Sequence, residues 1–127
     1  MNCGHDHTVL IVEDDQDIRE SLAEILATEG YTVRTAGNGQ DALEMLKLQR
    51  PCLVLLDLMM PVMNGWQVAA EIRDNPKLPT IPFCILSAIS DQAPAGTVCI
   101  LRKPLDLEKL LAVVHRYCSD QGLMDHR

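Results

Sequence analysis

Apolar residues in this chain gather in short continuous runs, separated by longer stretches where they recur at helical spacing. The first run, residues 8–12, is β-branched and unbroken, the pattern of a strand buried on both faces. Ile18, Leu22, Ile25 and Leu26 then share one helix face, with Asp15 or Asp17 to cap its start and Gly30 to end it. Residues 31–36 read as a second, more polar strand, suited to a sheet edge. Asn38 offers the next N-cap. Ala42, Leu43 and Leu46 form the apolar face, Lys47 and Arg50 suit the negative end of the dipole, and Pro51 stops the helix. Residues 52–56 are the most apolar run and belong at the sheet centre, leading straight into Asp57. Residues 65–74 predict a helix with Val68, Ala69 and Ile72 inward. A loop with Pro76 and Pro79 leads to a strand over 82–86. Residues 88–96 show no helical face, and Pro94 would break one. A fifth strand over 98–101 follows. Asp106 then caps a last helix facing inward through Leu107, Leu110, Leu111, Val114 and Cys118, with His115 and Arg116 in its final turn.

Strands that alternate with helices over short connections imply an α/β protein: a parallel sheet, right-handed crossovers and helices on both faces. The expected organisation is a flexible N-terminus (1–7), one domain (8–118) and a C-terminal tail (119–127), without internal repeats.

Composition narrows the function. The chain has 127 residues, 47% hydrophobic and 23% charged, as in an ordinary globular domain with one core. Net charge is -7, and the aromatic residues are Tyr31, Trp66, Phe83 and Tyr117. Such a chain lacks the positive charge and stacking platforms that nucleic acid needs, so no direct DNA or RNA contact is expected. No apolar run is long enough for a membrane span, and residues 1–7 do not read as a signal peptide. The cysteines are Cys3, Cys52, Cys84, Cys99 and Cys118, an odd number without a Cys-x-x-Cys pair. They are expected to be buried free thiols in a reducing compartment, which makes the localisation cytoplasmic.

The chemistry collects at the strand ends. Glu13, Asp14 and Asp15 follow the first strand, Asp57 the third, Ser87 the fourth, and Arg102, Lys103 and Pro104 the fifth. In a parallel sheet these ends form one rim, where ligands bind. Carboxylates brought together repel unless a cation joins them, and oxygen ligands suit a hard divalent ion, Mg²⁺ above all. Mg²⁺ with a lysine is also what a transferring phosphoryl group needs. A central carboxylate can then act as nucleophile and give an acyl phosphate.

With the residues in hand, the sequence resembles the receiver domains of two-component response regulators. The resemblance rests on the Leu10-Ile11-Val12-Glu13-Asp14-Asp15 stretch and on Asp57-Leu58-Met59-Met60-Pro61-Val62-Met63-Asn64-Gly65. It continues in Ile85-Leu86-Ser87-Ala88 and Leu101-Arg102-Lys103-Pro104-Leu105. It implies a three-layer, doubly wound, flavodoxin-like fold with a five-stranded parallel sheet in the order 2-1-3-4-5. It implies Asp57 as phosphoacceptor, and as metal ligands Asp14 directly, Glu13 through water, Asp57 and the Met59 carbonyl. Lys103 would pair with Asp57 and then with the phosphoryl group, Ser87 would move toward that group, and the Lys103–Pro104 bond would be cis. The implied function is that of a stand-alone signalling phosphoacceptor, not an enzyme. A histidine kinase or histidine phosphotransfer protein would be its donor and an unknown downstream protein its target.

The chain also departs from the family pattern. Ile100 stands where an aromatic switch residue is usual, and the segment from Ser87 to Lys103 is several residues short. The family's fourth helix is therefore expected to be shortened or missing, leaving a loop that orders on phosphorylation. Met59 and Ile89, at positions that tune acyl-phosphate hydrolysis in the family, are apolar and predict a long-lived phosphoryl group. Two rivals remain: a receiver-like interaction module that works without phosphorylation, and a phosphatase of the haloacid dehalogenase type. The second expects an acid where Met59 stands. Asp15 is expected to serve as a helix cap, Met59, Met60 and Met63 as packing, and Trp66 as a partly exposed residue. Ile18 is expected in the core, with Pro104 and Leu105 near the donor. The Cys3, His5 and His7 group is read as terminal rather than metal-binding.

Overall fold

The computed structural model describes residues 8–60, 62–78, 80–87 and 92–118. The elements run β1 (Thr8–Val12), α1 (Gln16–Thr28), β2 (Thr32–Ala36), α2 (Gly39–Leu48), β3 (Leu53–Asp57), α3 (Gly65–Asp74), β4 (Phe83–Ser87), β5 (Thr97–Arg102) and α4 (Leu107–Cys118). All strand pairs are parallel, in the order β2-β1-β3-β4-β5. The expected sheet order and fold class are thus observed. β3, the most apolar run, is central and wholly buried, whereas β2 lies at an edge and is largely exposed.

The unbroken apolar runs explain the three layers. Alternate residues of one strand point to opposite faces, so both faces need a cover. Leu10, Val12, Val54, Leu56, Phe83 and Ile85 point toward the side of α2 and α3 and meet Ala42, Leu43, Leu46, Val68, Ala69 and Ile72. Val9, Ile11, Leu53, Leu55, Cys84 and Leu86 point the other way and meet Leu22 and Leu26 of α1 and Leu110 and Val114 of α4. Each fully buried side chain of this kind stabilises the fold by roughly 1.5–3 kcal/mol relative to exposure.

Local signals set the helix starts. Asp15 accepts a hydrogen bond from the Ile18 N–H at 3.0 Å, and Asn38 from the Asp41 N–H at 2.8 Å. Asn64 and Gln67 form a reciprocal capping box at the start of α3, with bonds of 2.9 and 3.0 Å. Gly30 ends α1 with a φ of 99°.

Between β4 and β5, residues 92–96 are not helical; 88–91 lie outside the described residues, as does Ile89. Ala93 packs on the core from this connection, and the Arg73 guanidinium holds the Ala95 carbonyl at 3.2 Å. Ile100 also packs against the core. The expectations for residues 1–7, the tail 119–127, Cys3, His5, His7, Pro61 and Pro79 also lie outside the described residues.

Two expectations are corrected. Cys52 and Cys118 are not free thiols but form a disulfide, with a Cα–Cα distance of 5.2 Å across a sequence separation of 66. The reason is topological: crossover helices run antiparallel to the strands, so the end of α4 returns to the start of β3. Cys84 and Cys99 remain thiols, opposite one another on β4 and β5, with Cys84 buried and Cys99 half-buried. Burial pushes the Cys84 thiol well above its ordinary range, and the neighbouring Cys99 adds to this. Met59 does not pack: it is 79% exposed, while Met60 is buried and Met63 lies against the core. Trp66 is half-exposed as expected. Among the described residues, no helix is long and apolar enough to cross a membrane.

Candidate functional site

The register of the sheet brings the strand ends level. Val12 pairs with Leu56, Asp57 with Leu86, and Ser87 with Arg102. The residues just past these positions therefore meet at one rim, as the sequence order requires. Glu13, Asp14 and Asp57 each present an oxygen within 4.8 Å of the others. Glu13 is 1% exposed and Asp57 5%, while Asp14 is open to solvent. Ser87 is also buried, and its carbonyl accepts the Lys103 N–H at 2.6 Å. The Lys103–Pro104 bond is cis, as the resemblance implied.

Lys103 Nζ lies 2.9 Å from Glu13 Oε1 and 3.8 Å from Asp57 Oδ1. It was expected on Asp57; the structure places it nearer Glu13, bridging the two acids. Burial opposes its charge, but the hydrogen bond to Glu13 and the charges of Asp57, Glu13 and Asp14 outweigh it, so the ammonium is held above its ordinary pKa. Asp57 behaves oppositely. Burial first, then the hydrogen-bond contact with Glu13 and its charge, push the carboxyl up from 3.8 to about 7; Lys103 and the Met59 N–H pull the other way. That N–H reaches Asp57 Oδ1 at 3.2 Å. A lone ammonium thus does not neutralise the acids.

The loop from β3 to α3 holds Asp57 in place. The Gly65 N–H donates to the Leu58 carbonyl at 3.0 Å, folding the loop back on the strand. A Cβ on Gly65 would collide with the Asp57 carbonyl and the Leu58 Cα, so only glycine fits. Between them Val62 has a φ of 68°, which costs a β-branched residue conformational energy. The site opens as a cavity of about 540 Å³, lined by Glu13, Asp14, Asp57, Ser87 and Lys103 together with Met59, Trp66 and Gln92. A smaller apolar groove of about 360 Å³ lies beside it, between Ile18 and Leu22 of α1 and Pro104 and Leu105. Ile18 is half-buried there and packs against the core.

The donor set fits a hard divalent cation. It is all carboxylate and partly buried, its three acids face one ammonium, which leaves two negative charges when all are ionised, and it is open to solvent at Asp14. Sequence reasoning brought together Glu13, Asp14, Asp57, Ser87, Met59 and Lys103, and the structure places all of them around one cavity. It missed Arg19, whose Nη1 donates to the Glu13 carbonyl at 2.9 Å and approaches the Asp14 carbonyl at 3.5 Å. The only available signal was its place one helical turn after Asp15.

Comparison with known proteins agrees with this geometry. The family model described as the response regulator receiver domain matches residues 9–115. Response regulator MprA of Mycobacterium ulcerans is 39% identical over 82% of this chain, and the match spans 47% of that relative. The chain thus corresponds to about half the length of that protein. A CheY-like response regulator receiver domain protein from Methanospirillum hungatei is 28% identical, with a TM-score of 0.80 over 94% of this chain and 98% of that one. Response regulator TrrA from Thermotoga maritima, solved in complex with Mg²⁺ and BeF, is 33% identical, with a TM-score of 0.78 over 87% of this chain and 97% of that one. Fold, acid rim and family match converge: the chain belongs to the response regulator receiver domain family.

Proposed function

We propose that Asp57 accepts a phosphoryl group from the phosphohistidine of a histidine kinase or histidine phosphotransfer protein, and that its presence switches the binding of a downstream protein. The observation that carries this reading is a buried aspartate flanked by two further acids and a lysine at the open rim of a parallel sheet. Glu13, Asp14, Asp57 and the Met59 carbonyl would hold Mg²⁺, which supplies charge neutralisation for the transferring group. An Asp57 oxygen attacks phosphorus, the O–P bond forms, the N–P bond breaks, and the imidazole leaves with the electron pair. Lys103, already oriented by Glu13, meets the negative charge of the group, and the Ser87 hydroxyl turns toward its oxygens. Water later attacks phosphorus and returns the carboxylate with inorganic phosphate. Activity of the chain is limited to assisting these two steps.

The proposed setting is the cytoplasm, where ATP charges phosphohistidine donors. In that compartment the thiol pool governs whether Cys52 and Cys118 are joined. Residues 8–118 would form the receiver unit.

The test is to incubate the protein with a small acyl phosphate and Mg²⁺ and to measure intact mass. The expected result is one acid-stable, base-labile phosphoryl adduct, absent in Asp57→Asn. A wild-type protein that never gains the adduct would refute the reading. The packed Ile100 and the non-helical residues 92–96 favour one second reading, a module that binds its partner without phosphorylation. Partner binding unaffected by Asp57→Asn and by the donor would favour that reading.

A further inference from the structure

Every polar group of Glu13 has a partner. Its N–H donates to the Ala36 carbonyl at 3.1 Å, Oε1 takes Lys103 at 2.9 Å, and Oε2 accepts the Asp15 N–H at 3.2 Å. The remaining group, its carbonyl oxygen, is held from outside the loop by Arg19 Nη1 at 2.9 Å, and the same nitrogen lies 3.5 Å from the Asp14 carbonyl. Arg19 belongs to α1, and its backbone N–H closes the first turn on the Asp15 carbonyl at 2.9 Å. One guanidinium thus ties the main chain of two candidate metal ligands to a rigid helix. On its other side lies Gly37, where a Cβ would come within 3.2 Å of Arg19 Nη1.

We propose that Arg19, seated in the space that Gly37 leaves open, is a positioning residue for the cation site: it sets the main chain of Glu13 and Asp14 so that their carboxylates converge on one ion. The inference rests on the reading of Asp57, Glu13 and Asp14 as an Mg²⁺ site. Arg19 is a cation near a cation site. By charge alone its removal relieves repulsion and tightens Mg²⁺ binding. By positioning, its removal frees the loop and weakens binding, as loss of a group that orients ligands does. The two effects have opposite signs, and a fold-supporting role without positioning would lower stability while leaving affinity in place.

Trp66 lines the acid cavity and is the single tryptophan, so its fluorescence reports cation entry. The experiment is an Mg²⁺ titration of the full chain, read by Trp66 emission and by the Mg²⁺-induced rise in melting temperature. Arg19→Gln is expected to weaken binding about tenfold. Arg19→Lys keeps the charge but loses the fork, and is expected to lose less. Gly37→Ala keeps every charge and displaces the guanidinium, with an expected loss of about threefold. Binding by Arg19→Gln that is equal to or tighter than wild type overturns the proposal, even if its melting temperature falls. Should Arg19→Gln not fold, Gly37→Ala decides, and an affinity within about twofold of wild type overturns the inference. If the wild-type chain shows no Mg²⁺ response by either readout, the cation site itself fails and this inference falls with it.

Discussion

Replacing Asp57 by asparagine should stabilise the metal-free protein, although it removes the phosphoacceptor. The carboxyl titrates near 7 in the fold against an ordinary 3.8, because burial and Glu13 disfavour its charge. A folded pKa above the unfolded one means that the native state holds its proton longer. Stability from this group is therefore full below pH 3.8, falls as pH rises through the interval, and levels off above about 7. At 1.36 kcal/mol per pH unit, the interval sets an upper bound of about 4 kcal/mol on the cost at pH 8. Solvent in the cavity and the nearby ammonium screen part of it, which leaves roughly 2 kcal/mol. Asparagine keeps the shape and carries no charge, so Asp57→Asn is expected to melt about 5–10 °C above wild type at pH 8. At pH 5 the same reasoning leaves only about 1 kcal/mol, and near pH 4 almost nothing. Thermal unfolding by circular dichroism at these three pH values, with EDTA present, measures this directly. Added Mg²⁺ should raise the wild type far more than the variant, because only the wild type presents the full donor set. A variant no more stable than wild type at pH 8, or a gain that does not shrink toward pH 4, would refute the account of the acid cluster as an uncompensated charge.

Three further outcomes are expected. Val62 is 81% exposed and held at a φ of 68°, so Val62→Asn loses no burial, relaxes the backbone and should stabilise by about 1 kcal/mol in urea unfolding. Reduction of Cys52–Cys118, or Cys118→Ser, opens a loop of 66 residues and should cost about 2–4 kcal/mol, read as a lower melting temperature with reductant. The exposed Met59 side chain lines the cavity without a group to orient water, so Met59→Asn should speed loss of the phosphoryl group by about threefold to tenfold in a decay assay.

The parallel sheet and the central place of β3 were legible because β1, β3 and β4 are continuous apolar runs, as burial on both faces requires, whereas the strand order came with the family resemblance. The helix starts at Asp15, Asn38 and Asn64 were legible to different degrees. The first two are short polar side chains before an apolar period, whereas the capping box of Asn64 with Gln67 lay inside a motif that drew attention to Asp57. The rim was legible for a topological reason: the carboxyl ends of parallel strands lie on one edge of the sheet, so residues that follow them must meet. Glu13, Asp14, Asp57, Ser87 and Lys103 follow their strands and so share one site. Strand ends do not determine which acid the lysine touches, and in the structure Glu13 has the shorter contact.

What escaped the sequence depends on contacts and backbone turns that no periodicity encodes. Cys52 and Cys118 read as separate apolar thiols because their meeting requires knowing that α4 ends beside the start of β3. Arg19 reads as a solvated helix residue because its role depends on two carbonyl oxygens, and carbonyls leave no mark in a sequence. Met59 reads as packing, yet it lies exposed at the cavity instead. Arg19 shows the physical form of such a miss: a main-chain acceptor determines what the side chain does. The rim acids differ, because their mutual repulsion is a property of the side chains themselves and survives any detail of the loops. The clustering of Glu13, Asp14 and Asp57 therefore follows from the strand ends alone. Among the described residues of the segment between β4 and β5, none supplies a carboxylate to it.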